Sequence, residues 1–500
     1  MIKVLILFLL TTILVGSCAS SIRQTVPPPT ATSFSTVPPS PAPSLTPTTT
    51  PYPALKTQGP YLLFTRDNRN LTIMDADGGG QNQIELPHDS YTYQLDKSVS
   101  PDGKWLAYFT GSTEAPYELA LNVLNLSNET TQPVSKLLAS GFPANLEPLV
   151  ETMVLGDPPR YPEDCFENIE CRRSLVEREL ANSIFAFDWS PDSQSIAFPA
   201  QIDGPSSDIY IYTLQDKSIR RLTTELQNIY WLDWAPHGAR ILFEISTTPG
   251  EGYEGRTLHI TDLEGKTTFI NEERLYNQRW GEYGWLTENL YLFDHPNDTD
   301  KPPMYDLMAL DTDTGQFKEI WPYSLETFAV NRDNKTIVLI HKNHTSLKAT
   351  VPDGIYMVYP SGKYLKISDI GIQFVVREGQ KPYPVFSQDY NRQTYSIDND
   401  GTINMLPWVH EMIPWISPDT SVLLFAEPQK LALYNSSYEP LKSWQMEDDR
   451  YSLTWRPDSL GVFIFTEKNV YSLAISDEQP RSVEYCLLER CEPVRFIWLP

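Results

Sequence analysis

The chain has 500 residues, of which 12% are aromatic and 42 are proline, and it carries a formal net charge of −25. A chain this acidic repels nucleic acid and anionic lipid headgroups, which excludes both as partners. The same charge keeps a displayed protein soluble and apart from its own copies without requiring any partner.

Residues 1–17 place one lysine ahead of a single apolar run, the pattern of a secretory signal and too short for a spanning helix. Val15-Gly16-Ser17-Cys18 resembles the bacterial lipobox. That resemblance implies cleavage before Cys18 and lipidation of its new N-terminus; a plain signal peptide followed by an incidental cysteine is the alternative. Each acyl methylene buried in a membrane contributes about 0.8 kcal/mol, so lipid alone would anchor the chain. The expected location is extracytoplasmic, on a bacterial membrane, touching lipid only through this N-terminus. Residues 18–59 are built from Pro, Thr, Ser and Ala with almost no charge. They have too little apolar surface to fold and read as a disordered tether.

Beyond residue 60 one phrase returns: SVSPDGKWLAYFT at Ser98, FDWSPDSQSIAFPA at Phe187, LDWAPHGARILFEI at Leu232, PWISPDTSVLLFAE at Pro414 and LTWRPDSLGVFIFTE at Leu453. Each copy reads as an apolar strand, a turn containing proline and a second alternating strand. Units of this kind begin near Leu95, Ile184, Ile229, Arg279, Thr327, Met412 and Arg450, with a degenerate one near Gln373. A period of roughly 40–50 residues is that of a β-propeller blade. The tail Val494-Arg-Phe-Ile-Trp-Leu-Pro500 resembles the first half of the phrase, and Pro60-Tyr-Leu-Leu-Phe-Thr65 the second. Joined, they close the array and remove its open edges. The fold class is therefore all-β: residues 60–500 as a single closed β-propeller, eight blades favoured and seven or nine as alternatives, sealed by N- and C-terminal strand pairing.

Turns such as Met74–Gly80, Asp311–Gly315 and Asp398–Gly401 suit strand reversals, because Asp, Asn and Gly accept positive φ or bond their own backbone. They lack the distal carboxylate of a calcium loop, so they read as turns, and no metal or cofactor is expected. The segments LTIMDADGGGQNQIEL (Leu71–Leu86) and WSPDSQSIAF (from Trp189) resemble the TolB-type, WD-like propeller repeats of bacterial extracytoplasmic proteins. The resemblance implies the fold and leaves activity open, since such propellers serve as periplasmic binding proteins, peptidase gates and lyases. TolB itself has six blades and its own N-terminal domain, so a role in the Tol system does not carry over.

Residues 141–183 interrupt the repeat, and Asn168–Leu180 has the apolar spacing and Glu/Arg pairing of a short helix, which predicts a helical cap. Cys165 and Cys171, and Cys486 and Cys491, form two close pairs, which in an exported chain predict two small disulfide loops. The tryptophans of the phrase, Trp189, Trp234, Trp415 and Trp455, are expected in the core.

The short repetitive turns leave one end of each blade, and the variable second-to-third loops leave the other. Variable loops on a rigid frame make recognition surfaces. The candidate binding face comprises Asp203, Ser206, Glu251, Tyr253, Glu254, Arg256, His295, Asp298, Tyr305, His341 and His344. Tyr253 and Tyr305 are its aromatic contacts. His341 and His344 with Asp353 offer the donors of a metal or base cluster, although two histidines three apart also suit a solvated loop. No nucleophile elbow, HExxH or phosphate loop is present. The reading favoured is a non-catalytic, monomeric binding module for a protein or glycan at the cell envelope. The alternative is a carbohydrate-active lyase or hydrolase on the same face.

Overall fold

The computed structural model describes residues 53–67, 69–92, 94–111, 119–138, 186–202, 207–224, 228–246, 256–271, 284–297, 304–321, 323, 327–331, 335–341, 351–369, 372–376, 385–389, 393–397, 400–409, 414–419, 421–427, 429–437, 439–446, 451–485 and 494–500. Among the described residues, period-two alternation gives strands almost throughout, and hydrogen bonding gathers them into nine four-stranded antiparallel sheets. We number the sheets in chain order. Sheet 1 joins Tyr61–Thr65, Asn70–Asp75 and Gln81–Glu85 to the last strand, Arg495–Leu499. Sheets 2 to 9 begin at Ser90–Tyr91, Asp188–Trp189, Asn228–Trp234, Gly284–Trp285, Thr327–Asn331, Ile372–Val376, Trp415–Ile416 and Tyr451–Trp455, and each runs through four consecutive strands.

Nine sheets exceed the eight favoured from sequence. The degenerate unit near Gln373 forms a complete sheet, sheet 7, and the two termini supply a further one. Strand pairing needs only backbone groups and an alternating face, so a unit that has lost the Ser-Pro-Asp turn still forms its ladder. The expected terminal pairing is present: Leu63 faces Ile497 and Phe64 faces Phe496 in antiparallel register.

Apolar side chains on facing sheets interlock as shared cores. Leu63, Ile73, Leu106 and Tyr108 join sheets 1 and 2, and Phe109, Phe187, Trp189 and Phe198 join sheets 2 and 3. Ala197, Ile211, Leu232 and Phe243 join sheets 3 and 4, and Leu242, Ile260, Trp285 and Phe293 join 4 and 5. Each large side chain buried this way stabilises by about 1.5–3 kcal/mol. The last sheet packs against the first through Leu62, Phe64 and Met74 with Phe463, Phe465 and Val470. Phe496 stacks on Phe465 at 4.3 Å between centroids, and Arg481 donates to the Gly78 carbonyl across the same junction at 2.5 Å.

The phrase acquires a physical meaning at its turn. The Ser190 hydroxyl donates to Asp192, whose carboxylate accepts from the Gln194 N–H, while the Ser195 N–H donates back to the Ser190 hydroxyl. Ser100 with Asp102 and Ser417 with Asp419 repeat the pattern. At Arg456-Pro457-Asp458, arginine replaces the serine and its guanidinium reaches the carboxylate at 2.6 Å.

Two parts of the phrase differ from expectation. Ahead of Ser100 the chain makes one helical turn, Leu95–Ser98, and the inner strand lies earlier, at Ser90–Tyr91. Trp189, Trp234 and Trp455 are buried, whereas Trp415 is 40% exposed. In Pro414-Trp-Ile-Ser-Pro418 the tryptophan stands one place earlier than in the other copies, and Ile416 takes the buried place. A shift of one residue moves a strand side chain to the opposite face.

The folded unit also begins earlier than residue 60. The Lys56 N–H donates to Asp75 at 3.0 Å, the Tyr61 hydroxyl donates to the Lys56 carbonyl at 2.8 Å, and the Gln81 N–H donates to the Pro53 carbonyl at 3.1 Å. Residues 53–60 thus lie along the Asp75–Gly80 turn of sheet 1. The cysteines Cys18, Cys165, Cys171, Cys486 and Cys491 and the segment 141–183 lie outside the described residues.

Candidate functional site

Antiparallel meanders send their first-to-second and third-to-fourth turns to one end, and their second-to-third loops and intersheet connections to the other. The third-to-fourth turns span four to six residues, as at 126–130, 214–218, 312–315, 436–439 and 475–480. The second-to-third loops are not uniform. They span 111–119, 201–207, 247–255, 298–303 and 342–353 in sheets 2 to 6, but 390–392, 428–429, 467–468 and 66–69 in sheets 7, 8, 9 and 1. Connections of seven residues or more therefore leave sheets 2, 3, 4 and 6, with one of six on sheet 5.

Of the sequence-predicted residues, Asp203, Ser206, Glu251, Tyr253, Glu254, Asp298 and His344 lie outside the described residues. Arg256 opens the third strand of sheet 4 and pairs with Ser246, while His341 closes the second strand of sheet 6 and pairs with Gly354. His295 and Tyr305 fall in strands of sheet 5 rather than in a loop: His295 pairs with Asp306, and Tyr305 with Pro296. Pro296 stands inside the second strand of this sheet. Proline lacks an N–H, yet its carbonyl and its neighbours still carry the ladder. At this end the buried Asp208 forms an ion pair with Arg221 and accepts from the Thr223 hydroxyl at 3.1 Å.

The opposite end holds a cluster the sequence reading missed. Asp188 and Asp233 precede the buried tryptophan in two successive copies of the phrase, Phe187-Asp-Trp and Leu232-Asp-Trp. Equivalent places on neighbouring inner strands bring their carboxylates together, and the helical turn of sheet 2 sets Lys97 beside both. Its ammonium lies 3.3 Å from Asp233 and 3.8 Å from Asp188. The other Asp188 oxygen accepts from the Trp234 N–H at 2.6 Å. Burial lifts the Asp188 carboxyl well above the usual carboxylate range; Lys97 opposes the rise, and the adjoining Asp233 carboxyl adds to it. Burial pulls the Lys97 ammonium downward, but the two aspartates outweigh it and hold its proton more tightly than usual. Repetition of Asp-Trp was the signal available in the sequence.

A pocket of about 200 Å³ opens beside this cluster where sheets 1, 2 and 3 meet, lined in part by Asp96, Lys97, Asp188, Ile497, Trp498 and Pro500. Its tryptophans are fixed by their indole N–H groups: Trp498 donates to the Thr454 hydroxyl at 2.9 Å and Trp189 to the Ser98 carbonyl at 3.0 Å. Gly103 lies against Pro500 with φ of 70°, so a β-carbon there would collide with the proline ring. Among the described residues no group of three metal-ligating side chains converges, and no helix is long and apolar enough to cross a membrane.

No family model matches the chain, and no curated protein sequence matches it. Solved structures do. The crystal structure of a eukaryotic initiation factor is similar over 89% of this chain and 99% of its own, at 10% identity and a TM-score of 0.50. TolB from Acinetobacter baumannii matches over 78% of this chain and 81% of its own, at 14% identity and a TM-score of 0.29. The β-propeller domain of the Trilobed protease from Pyrococcus furiosus matches over 76% of this chain and 95% of its own, at 14% identity and a TM-score of 0.31. Similarity at such low identity concerns the fold alone.

Proposed function

We propose that the chain is a nine-bladed, closed β-propeller displayed at the cell envelope on a lipid at Cys18, and that it recognises a protein or glycan at its long-loop end without catalysis. One observation carries this reading: the second-to-third connections of sheets 2 to 6 have six to twelve residues, against two to four in the other sheets. Variable connections on a rigid frame are where recognition surfaces are built. At the turn end, Ser and Asp side chains close turns and link sheets.

The test is binding of full-length protein, in detergent, to glycan arrays and envelope fractions, with product analysis. Loops 247–255 and 342–353 are then shortened to the two-residue form seen at 428–429. Binding that disappears while the circular dichroism and melting curve persist supports the reading. Binding that survives shortening overturns it. An enzymatic reading draws on one feature, the buried Asp188 carboxyl lying with Asp233 beside Lys97, because a carboxyl whose proton affinity is raised can serve as an acid. Release of unsaturated or reducing ends in the same assay would establish that alternative.

A further inference from the structure

The fourth strand of each sheet presents an edge that no described strand pairs. An open edge is a row of backbone donors and acceptors, and folded proteins guard it with charge, proline or brevity. Seven of these nine strands carry Lys, Arg or Glu, and an eighth, Ile403–Val409, carries Pro407. The ninth, Thr267–Asn271 in sheet 4, reads TTFIN and has neither. At its closing turn the Asp262 N–H donates to the Lys266 carbonyl, and bonded and unbonded places alternate along an antiparallel ladder. Thr267, facing Thr261, and Phe269, facing His259, therefore turn their N–H and C=O groups away from the sheet. The bulge between Leu258 and His259 falls at Ile270, beyond both. Phe269 rests edge-on against His259 with centroids 5.4 Å apart, yet 52% of it stays exposed.

Outward backbone groups beside an exposed ring suit one shape: an extended strand, whose own N–H and C=O groups continue the ladder and whose side chain covers Phe269. Proline in that strand would remove a donor. Charge selects its source. A second copy would bring another net charge of −25 against the first, whereas a basic segment is drawn in by the same field. Glu264 stands exposed in the turn that precedes the strand, at the near end of the edge. We propose that the edge Thr267–Asn271 takes up an extended, proline-free, basic segment of another protein as a fifth strand of sheet 4, with Phe269 as the apolar anchor. This rim site does not rest on the loop-end reading and would persist if that reading failed.

The experiment titrates full-length protein, in detergent at low salt, with the peptide acetyl-KTVFVTK-amide and follows the heat of binding. Saturation is expected with a Kd on the order of 0.1–1 mM, the range open to a few hydrogen bonds and one anchor. The peptide acetyl-KTVPVTK-amide should bind about tenfold more weakly or worse, having lost a donor and the ring. The acidic acetyl-ETVFVTE-amide should bind about threefold more weakly or worse. Thr267→Pro removes one outward N–H at a place where an edge strand tolerates proline, and Phe269→Thr removes the ring but keeps a strand former. Each should weaken binding by about fivefold or more. Leu365→Thr, at an exposed position on the lysine-guarded edge of sheet 6, should leave it unchanged. Absence of saturation to ~10 mM overturns the proposal, as does equal binding of the proline or the acidic peptide. So does affinity unaltered in both Thr267→Pro and Phe269→Thr, or lowered as much by Leu365→Thr. Sedimentation that shows the chain pairing with its own copy, and losing that pairing in Phe269→Thr, would also overturn it by giving the edge to a second copy.

Discussion

The backbone N–H of Asp102 donates to the hydroxyl of Ser193 at 2.9 Å, 91 positions away and one sheet further on. Asp419 and Ser459 repeat the bond at 3.0 Å between sheets 8 and 9. Both serines hold φ near 60°, the left-handed conformation that glycine occupies in the Ser100-Pro-Asp-Gly103 copy. The fourth position of the phrase thus does two things: it reverses the chain, and it meets the turn of the preceding sheet. Where glycine stands there, the contact is packing, with Pro500 against Gly103 and Pro191 near Gly238.

Ser193→Ala should therefore destabilise the fold, because it leaves the Asp102 N–H without an acceptor while keeping a side chain in the left-handed region; a cost of about 1–2 kcal/mol is expected. Ser193→Gly loses the same bond but relieves a backbone cost of roughly 1 kcal/mol. Urea denaturation should rank wild type and glycine close together, with alanine below both. Equal losses in the two variants would show that the left-handed strain plays no part.

Lys97→Met should destabilise in a manner that grows with pH. The Asp188 carboxyl has a raised proton affinity in the fold, so its contribution is full below the ordinary carboxylate range and is lost as pH rises through its elevated value. Lys97 limits that loss by offsetting the second charge. Removing a partner from a fully buried pair costs about 3–5 kcal/mol; Lys97 is 37% exposed, and about 2 kcal/mol at neutral pH is the expected loss. Denaturation midpoints at pH 5 and pH 8 should diverge more in the variant than in wild type. A constant offset at both pH values would remove the carboxyl pair from the account.

Much of this architecture is legible in the sequence because the repeated phrase carries turn chemistry and strand alternation together. The closure is legible too, since Ile497-Trp498-Leu499-Pro500 completes the half-phrase of Tyr61–Thr65. Sheet 7 was harder: it keeps the alternation and has no Ser-Pro-Asp, and backbone pairing leaves little trace in residue identity. The Lys97 cluster was hidden for another reason. It depends on a helical turn at Leu95–Ser98 where the copies at Leu232 and Leu453 continue as strand, and that turn brings the lysine toward Asp188 and Asp233. Trp415 misled because a single-residue offset preserves composition and reverses the face.

Removing residues 494–500 should open sheet 1 and expose the apolar surface that sheet 9 buries. The closing strand supplies a full ladder to Tyr61–Thr65 and stacks Phe496 on Phe465. Its loss leaves an unpaired edge, which templates association with other chains. The truncated protein should bind a hydrophobic dye, melt less cooperatively and associate in size-exclusion chromatography, where the whole chain is expected to be monomeric. A sharp melting transition at the original temperature would mean that the terminal strand is dispensable.

His259 provides a pH dependence of opposite sign. It lies between Phe243 and Phe269, with ring centroids 5.5 and 5.4 Å away, and its Nε2 is 2.9 Å from the Thr257 hydroxyl. Burial holds its pKa down to about 4, because the charged imidazolium loses hydration among aromatic rings. A base depressed by folding contributes stability that is complete above its unfolded value, near 6.5, and that disappears as pH falls toward about 4, where the unfolded chain has bound the proton first. His259→Phe removes the titration and leaves the Thr257 hydroxyl without this partner. The variant should therefore be slightly less stable at pH 7.5 and equal to or more stable than wild type at pH 5, so thermal melts at the two pH values should cross. Parallel melting curves would show that the imidazole carries no pH-linked share of the stability.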